Sequence, residues 1–535
     1  MVQGERGVTD RSRCHRLIVF GGGGAGTAMA RAAVASGGVE VVAICEPEPA
    51  KKDQLQAEFA SARISSDYEA LLQKTRPTLA DIASPDHLHA EHAIAALEAG
   101  CDVLVEKPLA STVHDARRVL DLAEKHHAIL AVNFTLRYQY PTREALQLVL
   151  DGDLGRPFLF EGFYLHDLWH HYSAESLSRT PWRTDRVNPQ SVLLGGGCHP
   201  IDLILTSAGC EVTEVAAYAN NLAGSGLPID DCYVINIKFE DASVATVLVS
   251  TGANAVFHTP GYFNVYGTDG TIIKDMVYRR GKDPEKLSRI SPEMDGGHNW
   301  VCAWQAFARA VDGLSRVPVP AHIAGMNVAI CEAARESAES GRPVAPEIFA
   351  TNDSGVQLEH AQLRMRYSRG LGGLSAWSPP NGFELCPYDA TFDDEIRALL
   401  GVAGFSDLTG ERFQTSLISQ EEAREGSCLA LYEGRVVGAA FAGRFDDTDG
   451  RIDYVVADPN LRGNGIGVGV CTGVTKYLLE QGYETVTLHT DDWRMPAIET
   501  YRKLGFDPVL FREDMKARWG AVEARRAKVR SRATG

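Results

Sequence analysis

Two glycine-rich turns, each set between an apolar run and a helical stretch, stand near opposite ends of this chain. Gly21-Gly22-Gly23-Gly24-Ala25-Gly26 follows Leu17-Ile18-Val19-Phe20, and Arg462-Gly463-Asn464-Gly465-Ile466-Gly467 follows Ile452-Asp453-Tyr454-Val455-Val456. A strand that ends in glycine and opens a helix aims free backbone N–H groups and the helix dipole at an anion. Two such turns so far apart predict two nucleotide-type sites on separate modules. The 535 residues exceed what one core holds, so two to four domains are expected.

The net charge of -17 argues against general nucleic-acid binding. The 11 cysteines are scattered singly with no CxxC pair, which argues against a zinc ribbon and fits free thiols in a reducing cytoplasm. No run of about 18 apolar residues predicts a membrane span. Residues 1–16 lack the apolar core of a signal peptide and read as a disordered lead-in to the first strand. Arg525, Arg526, Lys528, Arg530 and Arg532 give residues 519–535 the look of a solvated, frayed basic tail.

In the first module Gly21, Gly23 and Gly26 fit G-x-G-x-x-G, with Gly24 and Ala25 inside the turn. One glycine permits the tight turn, one lets the backbone approach a pyrophosphate, and one lets helix pack on strand. The next strand, Val39 to Cys45, ends at Glu46, 20 residues past Gly26, where a carboxylate would accept from a ribose 2′-hydroxyl. Pro47, not an arginine, follows it, so NAD is expected rather than NADP. Leu79 to Ala83 reads as a strand, and Ser84-Pro85-Asp86-His87 leads into a helix from about Leu88 to Ala99. Asp102 to Val105 is the following strand, with Glu106-Lys107-Pro108 at its carboxyl end, where open α/β sheets place ligands.

Pro85-Asp86-His87-Leu88-His89-Ala90-Glu91-His92-Ala93, with Val103-Leu104-Val105-Glu106-Lys107-Pro108, closely resembles the Gfo/Idh/MocA oxidoreductases over residues 16–344. The resemblance implies a Rossmann domain, an α+β domain with an open, largely antiparallel sheet, and NAD(P)-dependent chemistry at a sugar or cyclitol hydroxyl. It makes Lys107 the proton-transfer residue, and places Ser84, His87, His89 and Glu106 at the cofactor. Asn133 to Tyr138 resembles the entry to the substrate domain, where Arg137 is expected at the substrate. Phe158 to Tyr164, Val234 to Phe239 and Val244 to Ser250 read as strands, and Ile323 to Ser340 as a helix stopped by Gly341. Gly195-Gly196-Gly197-Cys198-His199-Pro200-Ile201-Asp202 aligns with a loop that carries an aspartate four residues before its histidine in many relatives. Here that position is Gly195. His199 can still relay a proton. Asp202, Trp182 and Arg183 are expected around the substrate, Asp202 also reading as a helix cap. His166 and His170, spaced i,i+4 beside Asp167, are read as substrate-hydroxyl or loop residues, with no metal site.

Residues 346–383 read as a linker: Gln357 to Tyr367 suggests a helix, and Ser378-Pro379-Pro380-Asn381-Gly382 is turn material. A fragment starting near Asn381 should then fold alone. Beyond it Thr391 to Leu400 reads as a helix, Cys428 to Phe441 as a hairpin around Glu433-Gly434, and Val486 to Thr490 as a strand before a helix that runs to Leu504 and stops at Gly505. This order resembles the GNAT N-acyltransferases. Arg462, Gly465 and Gly467 match their pyrophosphate loop, with Gly463, Asn464, Ile466 and the strand residues Val455 and Val456 also on acetyl-CoA. Tyr501 matches the tyrosine that protonates the leaving thiolate. Arg494 stands where an asparagine is common. The base is Asp453 or a water, while Asp491 and Asp492 contact the acceptor or cap the helix.

The fold class is therefore α/β: a Rossmann NAD-binding domain (14–132), an α+β open-sheet substrate domain (133–345), a linker (346–383), and a separate GNAT α+β domain (384–518). The expected function is bifunctional: hydride transfer at a sugar, nucleotide-sugar or cyclitol hydroxyl with NAD, and N-acetylation of an amine, such as an amino sugar, with acetyl-CoA. The expected partners are small molecules and a second copy of the chain, with no nucleic acid and no membrane, in the cytoplasm. Two rivals stand beside it. With Gly195 at the aspartate position, the first half is an NAD-binding scaffold or sensor for an active acetyltransferase; or its hydride transfer is transient, as in NAD-dependent hydrolysis or epimerisation.

Overall fold

The computed structural model describes residues 15–176, 179–253, 262–287, 299–349, 362–374, 377–402, 413–511 and 515–534. They fall into two compact units, one of residues 14–311 and 317–358, the other of residues from 359 on together with 312–316. The lead-in before His15 lies outside the described residues.

The first unit opens with six parallel strands: β1 (His15–Phe20), β2 (Val39–Cys45), β3 (Arg63–Ser65), β4 (Leu79–Ile82), β5 (Asp102–Glu106) and β6 (Leu130–Asn133). Their order is β3-β2-β1-β4-β5-β6, which puts the topological switch point between β1 and β4. Both faces are covered, as near-continuous apolar runs require: β1, β4, β5 and β6 are buried almost throughout. The helix Gly24–Ser36 packs on one face beside Trp304 and Phe307, which come from the distant helix Trp300–Val311. The chain thus returns to the first sheet after building the second, which binds the two sheets into one unit.

The second sheet has eight strands: β7 (Pro157–Leu165), β8 (Val212–Asn220), β9 (Cys232–Phe239), β10 (Val244–Ser250), β11 (Phe263–Gly267), β12 (Thr271–Ile273), β13 (Met276–Tyr278) and β14 (Glu285–Lys286), ordered β14-β13-β12-β11-β7-β10-β9-β8. Only β7 and β10 run parallel; the sheet is otherwise antiparallel. Burial alternates along β9 and β10, so one face meets the helices Cys198–Ala208 and Ala321–Ser340 and the other is open. The second of these helices stops at Gly341 in the left-handed region.

The second unit is one seven-stranded sheet: β15 (Leu363–Tyr367), β16 (Phe383–Pro387), β17 (Cys428–Tyr432), β18 (Arg435–Arg444), β19 (Asp449–Ala457), β20 (Thr485–Thr490) and β21 (Asp507–Val509), ordered β16-β17-β18-β19-β20-β15-β21. The β17–β18 hairpin turns on Glu433 and Gly434, both at positive φ, the backbone a tight hairpin of this kind requires.

Two expectations fail here. Leu363–Tyr367 is not helix or linker but a strand hydrogen-bonded to β20 on one side and β21 on the other, with Leu363, Met365 and Tyr367 fully buried. Residues 357–361 lie outside the described residues. The basic tail is not frayed: Met515–Thr534 is a helix whose Met515, Trp519 and Val522 join the core, while Arg526 bonds Glu499 at 2.6 Å. The basic side chains concealed an apolar stripe at helical spacing.

Candidate active sites

In the first unit, glycines of the turn do different jobs. Gly21 has φ +100°, and a Cβ there would lie 2.5 Å from the Ala83 carbonyl; one on Gly26 would lie 2.0 Å from Gly21 O. Both are demanded by close packing. Gly23 and Gly24 face open space. The helix that Gly23 caps has no side-chain cap and no acid in its first turn, so its amides are left for an anion. Glu46 is buried at the end of β2; its Oε2 accepts from Gly22 N at 2.9 Å and its Oε1 from Glu48 N at 2.8 Å. The predicted turn, helix start and carboxylate therefore assemble at one edge, and this open cradle fits a dinucleotide pyrophosphate.

The next predicted residues divide. Ser84 Oγ meets His92 Nδ1 at 2.9 Å. His89 is 1% exposed, with its ring nitrogens 2.6 Å from Pro108 O and 2.9 Å from Ser84 O. It clamps two loops together and presents nothing to a cofactor, which corrects its assignment. His87 is exposed. Glu106 is buried and accepts from Asn133 Nδ2 at 2.6 Å; burial pushes its carboxyl up to about 7. Asp81, fully buried on β4, is pushed well above the carboxylate range by burial and by Glu106.

Lys107 follows β5, and its Nζ donates to Gly195 O at 2.7 Å. Gly195 lies in the π-helical turn Leu193–Gly197 that runs straight into the helix carrying His199. A side chain at 195 would meet Gln190, 2.8 Å from its Cδ. Gln190 is buried; its Nε2 donates to Asp86 Oδ2 at 2.8 Å and its Oε1 accepts from Arg183, which lies over the Trp182 ring at 4.8 Å. His199 is buried, stacked on Tyr164 at 5.9 Å and edge-on to Phe134 at 6.0 Å. Lys107, the 195–199 turn, Arg183 and Trp182 are thus brought together.

Arg137 and Asp202 are spent on one another. Arg137 grips Asp202 through two bonds of 2.6 and 2.7 Å, and also bonds Pro318 O at 2.9 Å and Thr206. The two side chains are 9% and 0% exposed. Their assignment to the substrate is corrected: the pair is a buried clamp with its bonding capacity taken up. His166 stacks on Tyr164 at 4.1 Å, and the His170 and His171 rings lie 4.1 Å apart, tilted.

In the second unit β19 and β20 pair in parallel only from Asp449–Ile452 against Thr485–Leu488, then part. On its other edge β19 carries a bulge opposite Ala439–Phe441, and Tyr454 there takes φ +46°, a strained value for a side-chain-bearing residue. The wedge is a cavity of about 520 Å³, lined by Asp453, Tyr454, Val455, Thr490, Arg494 and Tyr501 among others. Val456 points into the core instead. Tyr501 is 5% exposed and burial pushes its hydroxyl up, so it stays a proton donor. Burial also raises Asp453, whose Oδ2 accepts from Arg451 at 2.8 Å. Gly463 and Gly465 sit at φ +88° and +72° before the uncapped helix Ile466–Glu480, beside the exposed Arg462. Asp491 and Asp492 bond Arg494 and Arg518, each at 3.0 Å. An open wedge leading to a helix start without a side-chain cap fits a thioester arm and its pyrophosphate.

Residues 15–134 match the oxidoreductase family with an NAD-binding Rossmann fold, Gfo/Idh/MocA, and residues 142–273 match the Gfo/Idh/MocA C-terminal domain. Residues 391–506 match the GNAT acetyltransferase family. The chain joins a Gfo/Idh/MocA pair of domains to a GNAT domain. It is 27% identical over 255 residues to the levoglucosan dehydrogenase of Pseudarthrobacter phenanthrenivorans, covering 43% of this chain and 63% of that protein. It is 34% identical over 121 residues to the D-glucoside 3-dehydrogenase of Escherichia coli, covering 23% and 34%. The chain thus spans about half the length of these relatives. The structure of levoglucosan dehydrogenase in complex with NADH aligns over 63% of this chain and 100% of that one, with 22% identity and a TM-score of 0.55, a likeness of fold.

The Gfo/Idh/MocA half holds two side chains that sequence reasoning passed over, Gln190 and Asp86. Nothing local marks Gln190, because its role exists only through the vacancy at Gly195. The GNAT half holds two more. Trp377 donates from Nε1 to Asn464 O at 3.2 Å and lies over Gly465 and Gly469. Arg364 sits on β15, and the alternation Leu363-Arg364-Met365-Arg366-Tyr367 was its available signal. Among the described residues no group of three His, Cys, Asp or Glu side chains is arranged for a metal, and no helix is long and apolar enough to cross a membrane.

Proposed function

We propose that this chain is a bifunctional enzyme. Its first half moves a hydride between NAD and a hydroxyl-bearing carbon of a sugar, nucleotide-sugar or cyclitol, and its second half moves an acetyl group from acetyl-CoA to an amine. The observation that carries the first half is the placement of Lys107 Nζ at the carboxyl end of β5, held by Gly195 O one turn before His199. The dinucleotide, when bound, supplies the hydride acceptor. Lys107 takes the hydroxyl proton, His199 orients or relays it, and Arg183 and Trp182 line the pocket. Glu46 favours a ribose diol over a 2′-phosphate. In the second half the amine nitrogen attacks the thioester carbonyl and the C–S bond breaks. Tyr501 gives its proton to the departing thiolate, and Asp453 or a water takes the proton lost by the amine.

The backbone carbonyl at Gly195 favours a second reading, an NAD-binding scaffold without turnover, and transient hydride transfer remains the third. Native mass spectrometry for bound NAD(H) and CoA, followed by NADH formation with sugar and cyclitol panels, tests the set. Bound NAD with no net turnover on any panel member would overturn the dehydrogenase reading. The open sheet face, with Tyr218, Val234 and Val244 exposed, supports assembly with a second copy. The ten free cysteines of the described residues are consistent with a cytoplasmic setting.

A further inference from the structure

The transferase reading leaves the amine undefined, and β15 bears on it. This strand lies upstream of the residues that match the GNAT family. Its buried side chains are Leu363, Met365 and Tyr367, and its half-exposed ones are Arg364 and Arg366. Arg366 is balanced by Asp449, 2.8 Å away. Arg364 is not balanced. Its Nε donates to His489 Nε2 at 3.2 Å, and its guanidinium carbon lies 4.8 Å from the Phe445 ring centre and 4.4 Å from that of Phe511. Among the described residues no carboxylate pairs with it, and its two terminal nitrogens meet no protein acceptor.

The neighbouring carboxylates are already engaged: Asp453 with Arg451, Asp491 with Arg494, Asp449 with Arg366. His489 lines the same cavity as Tyr501 and Asp453. Burial, then Arg364 and Arg451, lower its titration, so the ring accepts from Arg364 and carries no charge of its own. A guanidinium held by two aromatic faces and an imidazole, with its outer fork unclaimed, is organised in advance for an anion with two oxygens to offer.

We propose that the acyl acceptor is an anionic amine whose carboxylate or phosphate is held by Arg364. The proposal rests on the transferase reading. Its test offers the full-length chain acetyl-CoA with glucosamine, glucosamine 6-phosphate and glucosaminic acid, and follows release of the CoA thiol. One of the two anionic amines should exceed glucosamine at least about tenfold in kcat/KM, and which one does so separates phosphate from carboxylate. Arg364→Gln should raise KM for that amine at least about tenfold and erase the preference, with Arg364→Lys keeping part of it. Equal rates on all three amines, or a preference unchanged in Arg364→Gln, would overturn the proposal. Calorimetry supplies an arm free of turnover: inorganic phosphate and acetate are titrated into chain saturated with NAD and CoA. Binding lost in Arg364→Gln sustains the anion site, and identical isotherms refute it. Anion binding without acetylation of any amine would keep the site and remove the transferase reading.

Discussion

Lys107 Nζ and the main-chain oxygen of Gly195 lie 2.7 Å apart, so a backbone carbonyl holds the lysine at the residue that the family resemblance aligns with an aspartate. The space a side chain would fill is taken by Gln190, which runs on to Asp86. A main-chain acceptor cannot ionise, so it holds the lysine without competing for its proton.

Lys107→Ala should therefore lower single-turnover reduction of bound NAD by about 10²–10⁴-fold while leaving NAD affinity intact, the scale of a positioned acid or base. Gly195→Asp should lower the rate too, because the new side chain displaces Gln190 from Asp86. The measurement is absorbance at the NADH band once a substrate is identified. A wild-type rate in Lys107→Ala would end the oxidoreductase reading.

Glu46 braces the glycine turn through Gly22 N, and the NAD reading sets it beside the ribose. Titration by NADH fluorescence should show tighter binding than NADPH. Glu46→Ala should weaken NADH by about tenfold or more while narrowing the difference between the two, since it removes a carboxylate that repels a 2′-phosphate. Tighter NADPH binding to the unaltered chain would contradict the assignment.

The strand β15 changes where the second unit begins. A fragment starting at Asn381 lacks a strand that is bonded on both edges and carries three buried side chains, so it opens one edge of β20 and leaves β21 without its partner. It should be insoluble or molten by circular dichroism, whereas one that retains residues 359–380 should unfold cooperatively and bind CoA. Met365→Asp in the full chain should destabilise this unit by about 3 kcal/mol or more, the cost of an unpaired buried charge.

What the sequence disclosed, and what it withheld, divides by range. Both glycine turns, the Glu433-Gly434 hairpin and the helix stops at Gly341 and Gly505 are local patterns readable from spacing, and spacing put Glu46 at a strand end, whereas the role expected of Lys107 came from the family resemblance. Arg137 and Asp202 were misread because 65 residues separate two groups that neutralise each other, and no local pattern reports a buried pair. His89 was misread for the same reason, its partners being carbonyls that the fold brings to it. β15 was lost among glycine- and proline-rich neighbours although its period-two alternation is plain. The final helix was lost because its charge outweighed Met515, Trp519 and Val522.

Two buried groups oppose one another in pH dependence. Burial raises Glu106 to about 7, so the folded chain binds the proton more tightly than the unfolded one, and stability falls as pH rises from the ordinary carboxylate range to about 7. Burial lowers His92 to about 4, so stability is lost as pH falls from the ordinary imidazole range toward 4. The windows overlap and offset. Glu106→Gln should unmask a melting temperature that climbs from pH 4.5 to 6.5, which calorimetric melts across that range would show. A flat profile in that variant would contradict the His92 assignment.

Trp377 gives the sharpest test of the CoA loop. Its indole donates to Asn464 O and lies where a side chain on Gly469 would stand, 2.4 Å from Cε3. Alanine for glycine inside a helix ordinarily stabilises by about 0.5–1 kcal/mol. Here Gly469→Ala should still weaken CoA, because it evicts the indole and frees the loop carbonyl. Trp377→Ala should weaken CoA by a similar factor, and the double variant should be no worse than either, since one contact has been removed twice. Gly465→Val should lose the most: its φ of +72° disfavours a β-branched residue, and its Cβ would lie 2.7 Å from the indole nitrogen. Calorimetric CoA titration of the four variants decides it; additive losses in the double variant would show that Gly469 and Trp377 act separately.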